Sequence, residues 1–231
     1  MGTAAVVSDD LLEDPIRLGD PAPEFSLPAV NRDGDIGLDD YKGRLALLLG
    51  LFRGLHCPFC RRQVFQMNGY AERLAELGVA GLAVINTELT RARTYFGRLQ
   101  IGMVLAVDPS WETHRRYGLG RTKLTLGRTE WPRKVNPKDM LALRLNPTGE
   151  LPEPVSLLKG NAAINRIDGF KPTLVDRKFQ AIHGMTGAGY TLIDKDGFVR
   201  WRWLEGQTGM ADIGKFPSVD DVLAAVARAQ R

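Results

Sequence analysis

The two cysteines of this 231-residue chain lie three positions apart, in the run Cys57-Pro-Phe-Cys60. In a compartment that keeps ordinary thiols reduced, so close a pair indicates redox or metal chemistry rather than a structural disulfide. Zinc needs four ligands, and the three histidines supply no second pair. A haem-attachment motif needs a histidine after the second cysteine, where this chain has Arg61. We therefore predict a redox site without metal or cofactor, and inert packing of two small side chains is the alternative.

The elements around the cysteines favour a reactive thiolate at Cys57. An apolar run over residues 45–52 predicts a buried strand that ends five residues earlier. A helix is predicted after the pair because four apolar residues recur at helical spacing: Val64, Met67, Ala71 and Leu74. Cys57 then lies at or just before the first helical turn, where unpaired N–H groups and the helix dipole lower a thiol pKa. Cys60 lies one turn along, close enough to attack a mixed disulfide or a sulfenic acid on Cys57.

Basic residues surround the pair at four positions: Arg53, His56, Arg61 and Arg62. Their positive charge would favour the thiolate, and we predict Arg53 and His56 as its supporting residues. His56 directly precedes Cys57 and would tune the thiolate or relay a proton, while a loop residue at the rim of the site is the alternative. Of the other two histidines, His114 is predicted on the surface of a helix, and His183 lies just before a returning strand, where contact with the site is a minor alternative.

Strands and helices alternate along most of the chain, which predicts an α/β domain with helices on both faces of a sheet. Beyond the first strand, strands are predicted at residues 79–85, 103–107, 190–194 and 198–204. The last two form a hairpin through an Asp-Gly turn at residues 196–197. Helices are predicted at residues 110–117, with Ser110 as N-cap, and 217–229, with Ser218 and Asp221 as a capping box.

Residues 120–187 break this alternation and are predicted to form a long irregular insertion. Six of the 13 prolines lie there, and residues 120–188 carry 12 basic and six acidic side chains. We favour a solvated loop, with a lid over the cysteines or a surface for an acidic partner as alternatives. Residues 1–18 are predicted to be a flexible lead, and residues 19–231 one domain that contains the insertion.

The composition excludes several functional classes. Hydrophobic residues make up 44% and charged residues 25%, which is typical of globular proteins. A net charge of +4 is too small to indicate nucleic-acid binding. The longest apolar run is too short to span a bilayer, and the acidic N-terminal segment lacks the features of a secretory signal. We expect a cytoplasmic protein without nucleic-acid or membrane partners.

The order of strand, Cys-x-x-Cys at a helix start, helix, strand, helix, hairpin and final helix resembles the thioredoxin fold. In detail the chain is similar to the alkyl hydroperoxide reductase/thiol-specific antioxidant (AhpC/TSA) family of peroxiredoxin-like proteins, over about residues 18–119 and 189–229. The matching stretches are GDPAPEFSL at 19–27, FRGLHCPFC at 52–60, Asp108 with Tyr117-Gly118, and LIDKDGFVR at 192–200. The resemblance implies a thioredoxin-like α/β fold with a central mixed sheet and helices on both faces.

The resemblance also implies an antioxidant thiol oxidoreductase. The Cys57 thiolate would reduce a peroxide and Cys60 would resolve the product as a disulfide. An external thiol reductant, such as a thioredoxin or glutathione system, would complete the cycle, and a homodimer is a possible assembly. Two alternatives use the same cysteines: thiol–disulfide exchange with a disulfide substrate, and a non-enzymatic redox sensor or binding module.

Three positions depart from the family pattern. Peroxiredoxins carry a proline and a threonine where this chain has Gly50 and Gly54, and an arginine where it has Ala188. Arg53 is the residue that would replace the missing positive charge. The proline that faces the active site in thioredoxin-type reductases is also missing between residues 185 and 191.

Overall fold

The computed structural model describes residues 16–230, so most of the flexible lead predicted for residues 1–18 lies outside the described residues. The strands are β1 (Ser26–Pro28), β2 (Asp35–Gly37), β3 (Ala46–Phe52), β4 (Val79–Ile85), β5 (Val104–Val107), β6 (Lys123–Leu124), β7 (Lys134–Val135), β8 (Gly189–Ile193) and β9 (Val199–Leu204). The helices are α1 (Pro58–Gly69), α2 (Ala71–Glu76), α3 (Leu89–Phe96), α4 (Glu112–Arg116), α5 (Pro137–Ala142), α6 (Leu157–Ile167), α7 (Leu174–His183) and α8 (Val219–Ala229).

A five-stranded mixed sheet forms the centre of the molecule, in the order β5-β4-β3-β8-β9. β3, β4 and β5 are parallel, whereas β8 runs antiparallel to β3 and pairs with β9 in a hairpin. Gly197 closes that hairpin with a φ of +89°, a backbone conformation that glycine adopts without strain. The mixed sheet and its flanking helices confirm the predicted thioredoxin-like fold class.

β3 is buried on both faces, which explains its unbroken apolar sequence. Leu47, Leu49 and Leu51 pack on one side with the β1–β2 hairpin and Tyr117. Leu48 and Phe52 pack on the other side, beneath helices α1, α2, α3 and α8. Because side chains alternate across a strand, a strand covered on both faces reads as a continuous apolar run.

The insertion is more regular than the sequence indicates. It contains α5, α6, α7 and the two-stranded parallel β6–β7 ladder. The buried positions of α6 and α7 have helical spacing, but several are not large and apolar: Gly160 and Ile164 in α6, and Asp176, Phe179 and His183 in α7. A search for apolar periodicity misses helices whose buried faces carry glycine, aspartate and histidine.

The start of α4 corrects two predictions. Trp111, with a φ of +62°, is the N-cap residue, whereas the Ser110 hydroxyl accepts a hydrogen bond from Glu112 N at 3.3 Å and donates one to Asp108 Oδ1 at 2.7 Å. His114 is not on the surface: it is completely buried between the Asp108 carboxylate and the Phe52 carbonyl. The adjacent Arg115 and Arg116 favoured the prediction of a solvent-exposed face. The His114 ring is buried because it hydrogen-bonds Asp108, which directly follows β5.

The C-terminal helix begins as predicted. The Ser218 hydroxyl accepts a hydrogen bond from Asp221 N, and the Asp221 carboxylate accepts one from Ser218 N. Among residues 16–230 no helix combines the length and apolar character needed to cross a membrane.

Candidate active site

Cys57 is the N-cap residue of α1. The chain leaves β3 at Phe52, turns through five residues, and enters the helix at Pro58, where the missing proline N–H costs no hydrogen bond. The Cys57 Sγ atom accepts a hydrogen bond from Cys60 N at 3.2 Å. The thiol therefore takes the place of the side-chain oxygen that usually caps a helix, and it faces the positive end of the helix dipole.

Arg53 connects Cys57 to a buried carboxylate. Its Nη2 atom lies 3.5 Å from Cys57 Sγ and 2.7 Å from Glu205 Oε1. Nη1 pairs with the other Glu205 oxygen and donates to the Thr186 carbonyl at 3.0 Å. Gly214 N also donates to Glu205 at 2.8 Å, which holds the carboxylate in place. The guanidinium is thus fixed against the thiol by groups from the β8–β9 region.

The two cysteines differ in their ionisation. Burial by itself would raise the pKa of Cys57, but the hydrogen bond from the Cys60 thiol and the charge of Arg53 lower it to about 6. Burial raises the pKa of Cys60 well above its ordinary value, and the adjacent Cys57 sulfur raises it further. At neutral pH the pair is therefore a Cys57 thiolate beside a Cys60 thiol, which is the arrangement of a nucleophile and a resolving group.

His56 is buried beside the thiolate without a hydrogen-bond partner on either ring nitrogen. Burial and the nearby charge of Arg53 lower its pKa to about 3, so the ring is neutral at pH 7. It therefore adds no positive charge near Cys57, and Arg53 alone does so through contact. What His56 offers is one N–H donor and one acceptor lone pair, both unused.

Arg61 and Arg62 do not contact the thiols, although the sequence places them next to the pair. Arg61 donates to the Leu55 carbonyl at 2.6 Å and to Asn165 Oδ1 at 2.8 Å. Both guanidinium groups also pair with Asp168, at 3.1 Å and 2.6 Å. Their role is to fasten the insertion to α1.

The glycine at the family's threonine position has no room for a side chain. A Cβ atom on Gly54 would lie 2.5 Å from the Asn86 carbonyl oxygen and 3.0 Å from His56 Nδ1. A Cβ on Gly50, at the family's proline position, would lie 2.7 Å from the Phe52 ring. Ala188, at the family's arginine position, is completely buried. The packing around these three positions therefore suits the glycine or alanine that this chain carries rather than the side chains of the family pattern.

A cavity of about 370 Å³ opens beside Cys57, and we call it the Cys57 cavity. Arg53, His56 and Glu205 line one part of it. The insertion supplies much of the remaining wall through residues that include Arg121, Trp131, Met140, Leu157, Leu158 and Met185. The insertion is thus a wall of the site, which corrects the expectation of a solvated loop.

His183 does not line the Cys57 cavity. Its ring packs against Trp111 and Phe179, with ring centroids 6.1 and 5.8 Å away. Burial and the charge of Arg121 lower its pKa to about 4, so it is neutral at pH 7.

Glu205 is the site residue that sequence reasoning missed. It follows β9, is separated from Arg53 by 152 positions, and its side chain is 3% exposed. The only sequence signal is an acidic residue directly after a strand that carries two arginines and two tryptophans, which is too weak to place it at the thiols. Residues 16–230 contain no group of three or more side chains suited to hold a metal ion.

Comparison with protein-family models gives one match. A model of the AhpC/TSA family matches residues 18–153, which is more than half of the chain. The matched segment contains β3, both cysteines and the first part of the insertion. No curated protein matches the chain.

Solved structures similar to this chain include several peroxiredoxins. The reduced 2-Cys peroxiredoxin of Plasmodium vivax has a TM-score of 0.58 and 14% identity, and the alignment covers 94% of this chain and 83% of that one. Thioredoxin peroxidase I of Plasmodium yoelii has a TM-score of 0.55 and 16% identity, with 93% and 91% coverage. Peroxidoxin BcpB of Mycobacterium tuberculosis has a TM-score of 0.53 and 11% identity, with 93% and 97% coverage. At these identities the likeness is one of fold.

Proposed function

Because the chain belongs to the AhpC/TSA family and is a thiol-dependent oxidoreductase, we propose that it reduces peroxides, with Cys57 as nucleophile and Cys60 as resolving thiol. The observation that carries this proposal is the Cys57 sulfur, whose pKa is lowered to about 6, held 3.5 Å from Arg53 and open to a cavity. A thiolate is the reactive form of cysteine, and the adjacent guanidinium can stabilise negative charge that develops on oxygen.

In the first step the Cys57 thiolate attacks the outer oxygen of the peroxide. The S–O bond forms as the O–O bond breaks, so the sulfur is oxidised to a sulfenic acid and the peroxide is reduced. The departing alkoxide takes a proton from water and leaves as an alcohol. His56, which lines the cavity and is neutral and unpartnered, would hydrogen-bond a peroxide oxygen after a small movement of its ring, which is the task that the missing threonine performs elsewhere in the family.

In the second step Cys60 closes the pair. Its sulfur attacks the Cys57 sulfenic acid, the S–S bond forms, and the hydroxyl group leaves as water with the Cys60 proton. An external dithiol of the thioredoxin type, or glutathione, then supplies two electrons and two protons to restore both thiols. The short separation across one helical turn supports direct closure, because Cys60 N already contacts Cys57 Sγ.

Thiol–disulfide exchange is the competing function, and burial weighs against a protein disulfide as substrate. Cys57 is only 5% exposed, and it faces a cavity rather than a flat surface. A small molecule can enter such a cavity, whereas two sulfur atoms on a folded partner must approach in line with the attacking thiolate. A small disulfide remains compatible with the same residues.

Rapid mixing of the reduced protein with one equivalent of peroxide tests the proposal. Hydrogen peroxide, cumene hydroperoxide and oxidised glutathione are compared, while tryptophan emission and intact mass are followed. We expect the wild type to lose the mass of two hydrogens with a peroxide, orders of magnitude faster than a free thiol reacts. Cys57→Ser should not react, and Cys60→Ser should stop after gaining one oxygen.

Two results would overturn the peroxidase proposal. Peroxide rates no faster than those of a free thiol, with rapid oxidation by oxidised glutathione, would establish disulfide exchange instead. Fast oxidation without turnover under thioredoxin or glutathione would establish a redox sensor.

A further inference from the structure

Arg121 is a cation in an otherwise mainly apolar part of the Cys57 cavity. It lies at the start of the insertion and lines the cavity together with Trp131, Met140 and Met185. Its guanidinium carbon lies 5.8 Å from the centroid of the Trp111 ring. Its Nε atom is buried without a hydrogen-bond partner.

Glu205 in the cavity wall and three aspartates of other segments are engaged with other partners. Glu205 is paired with Arg53, and Asp108 with His114. In the insertion, Asp168 and Asp176 pair with arginines outside it. No ion pair joins Arg121 to a carboxylate of the described residues. The Arg121 guanidinium is therefore available to a ligand that carries a negative charge.

The cavity wall and Arg121 together indicate the chemistry of a ligand. The apolar residues suit the body of an organic molecule, and a planar guanidinium suits a carboxylate, which it can bind through two parallel hydrogen bonds. A volume of about 370 Å³ lies within the range of small-molecule sites. Hydrogen peroxide would leave both the wall and Arg121 unused.

We propose that Arg121 forms a carboxylate-binding subsite in the Cys57 cavity, so that the preferred substrate is an organic hydroperoxide with a carboxylate on an apolar body. The proposal rests on the peroxidase function proposed above. The reaction has the same steps as the one proposed above: Cys57 takes the outer oxygen, the O–O bond breaks, and the alkoxide takes a proton from water. The product is the corresponding hydroxy acid, which keeps its carboxylate.

Linoleic acid hydroperoxide and its methyl ester form a matched pair of substrates, because they differ only in the charge at one end. Each is assayed below its critical micelle concentration, with hydrogen peroxide as a reference. We expect the wild type to show kcat/KM at least about tenfold higher for the acid than for the ester, as a charge-assisted hydrogen bond contributes on that scale.

Variants of two arginines test which residue causes the preference for the acid over the ester. Arg121→Met should bring the acid-to-ester ratio close to one, and Arg121→Lys, which keeps the charge, should retain part of the preference. Arg128→Met is the matched control, because Arg128 is an exposed arginine of the same insertion that does not line the cavity. That variant should keep the wild-type ratio. A wild-type ratio near one, or a full preference in Arg121→Met, would contradict the subsite.

A binding experiment separates this inference from the proposed function. The Cys57→Ser protein is titrated with lauric acid and with methyl laurate, followed by calorimetry and by emission from Trp131 and the other tryptophans. Arg121-dependent binding of the acid, without any peroxide reduction by the wild type, would keep the carboxylate subsite and reject the peroxidase. Cys57-dependent reduction of hydrogen peroxide, without lauric acid binding or an acid preference, would reject the subsite alone.

Discussion

Two groups of buried polar side chains lie near the end of β3, and they differ in how their hydrogen-bonding capacity is used. The scaffold pair is Asp108 and His114, both completely buried. His114 Nδ1 lies 3.0 Å from Asp108 Oδ2, and Nε2 lies 3.1 Å from the Phe52 carbonyl oxygen. Each ring nitrogen therefore has an oxygen atom within hydrogen-bonding distance. Ser110 satisfies the other Asp108 oxygen.

The reactive group consists of Arg53, His56 and Cys57, and some of its hydrogen-bonding groups have no partner. His56 has no partner for either ring nitrogen, and the Cys57 thiolate faces the Cys57 cavity. Burial alone does not separate the two groups, since His56 is 7% exposed and His114 is 0% exposed. Completed hydrogen bonding is typical of a scaffold, whereas unused donors and acceptors on a side chain that lines a cavity indicate a site where a ligand can supply the missing partners.

Loss of the scaffold pair should change the stability of the protein most. His114→Leu removes the ring that hydrogen-bonds the buried Asp108 carboxylate, so we expect the free energy of unfolding to fall by about 3–5 kcal/mol. Urea denaturation of the reduced protein measures this change.

His56→Leu is the matched control for the scaffold variant. It removes two unpartnered nitrogens at similar burial, so the free energy of unfolding should stay unchanged or rise by about 1 kcal/mol. Equal losses in the two variants would show that partners do not distinguish the two histidines.

The next effect tests the charges of the reactive group. Arg53→Met removes the cation at 3.5 Å from the sulfur, so the pKa of Cys57 should rise from about 6 by roughly one to three units. Glu205→Gln should lower that pKa, because the carboxylate opposes ionisation of the thiol. The rate of alkylation by iodoacetamide, measured against pH, gives the midpoint in each variant.

In the wild type the alkylation rate should rise with pH through about 6, as the thiolate forms. Arg62→Met is the control, because that arginine is paired with Asp168 and Glu150 rather than with the thiols. A change of the Cys57 pKa in the same direction in Arg53→Met and Glu205→Gln would contradict the assigned electrostatic effects.

The smallest effect concerns Gly54, which lies between the scaffold pair and the reactive group. Gly54 lies between the Asn86 carbonyl and the His56 ring, and a Cβ atom there would be 2.5 Å from the oxygen. Gly54→Ala should therefore lower the free energy of unfolding by about 1–3 kcal/mol, the usual effect of overpacking. Thermal or urea denaturation measures it.

Gly69→Ala provides the comparison for the boundary, because open space surrounds a Cβ atom at that position in α1. Its stability should be unchanged or about 1 kcal/mol higher. For the same steric reason Gly54→Thr should not gain peroxidase activity. A Gly54→Thr protein of full stability with faster peroxide reduction would contradict this account.

The regular part of the fold was predictable because local patterns carry it. The apolar run of β3, the helical spacing after the cysteines and the Asp-Gly turn of the β8–β9 hairpin each lie within a short segment. The two longer helices of the insertion, α6 and α7, were missed because tertiary contacts stabilise them. Arg61 pairs with Asp168 and Arg91 with Asp176, and these partners are more than 80 positions apart.

The pairing of Cys57 with Cys60 at a helix start could be predicted from the sequence, because a Cys-x-x-Cys spacing after a buried strand encodes that geometry locally. The sequence also pointed to Arg53, which the structure places 3.5 Å from Cys57 Sγ. Three properties could be read only from the folded chain: Glu205 holds Arg53, His56 is neutral and unpartnered, and the insertion forms a wall of the Cys57 cavity. These properties depend on burial and on electrostatic contacts between distant segments, and such contacts exist only once the chain has folded.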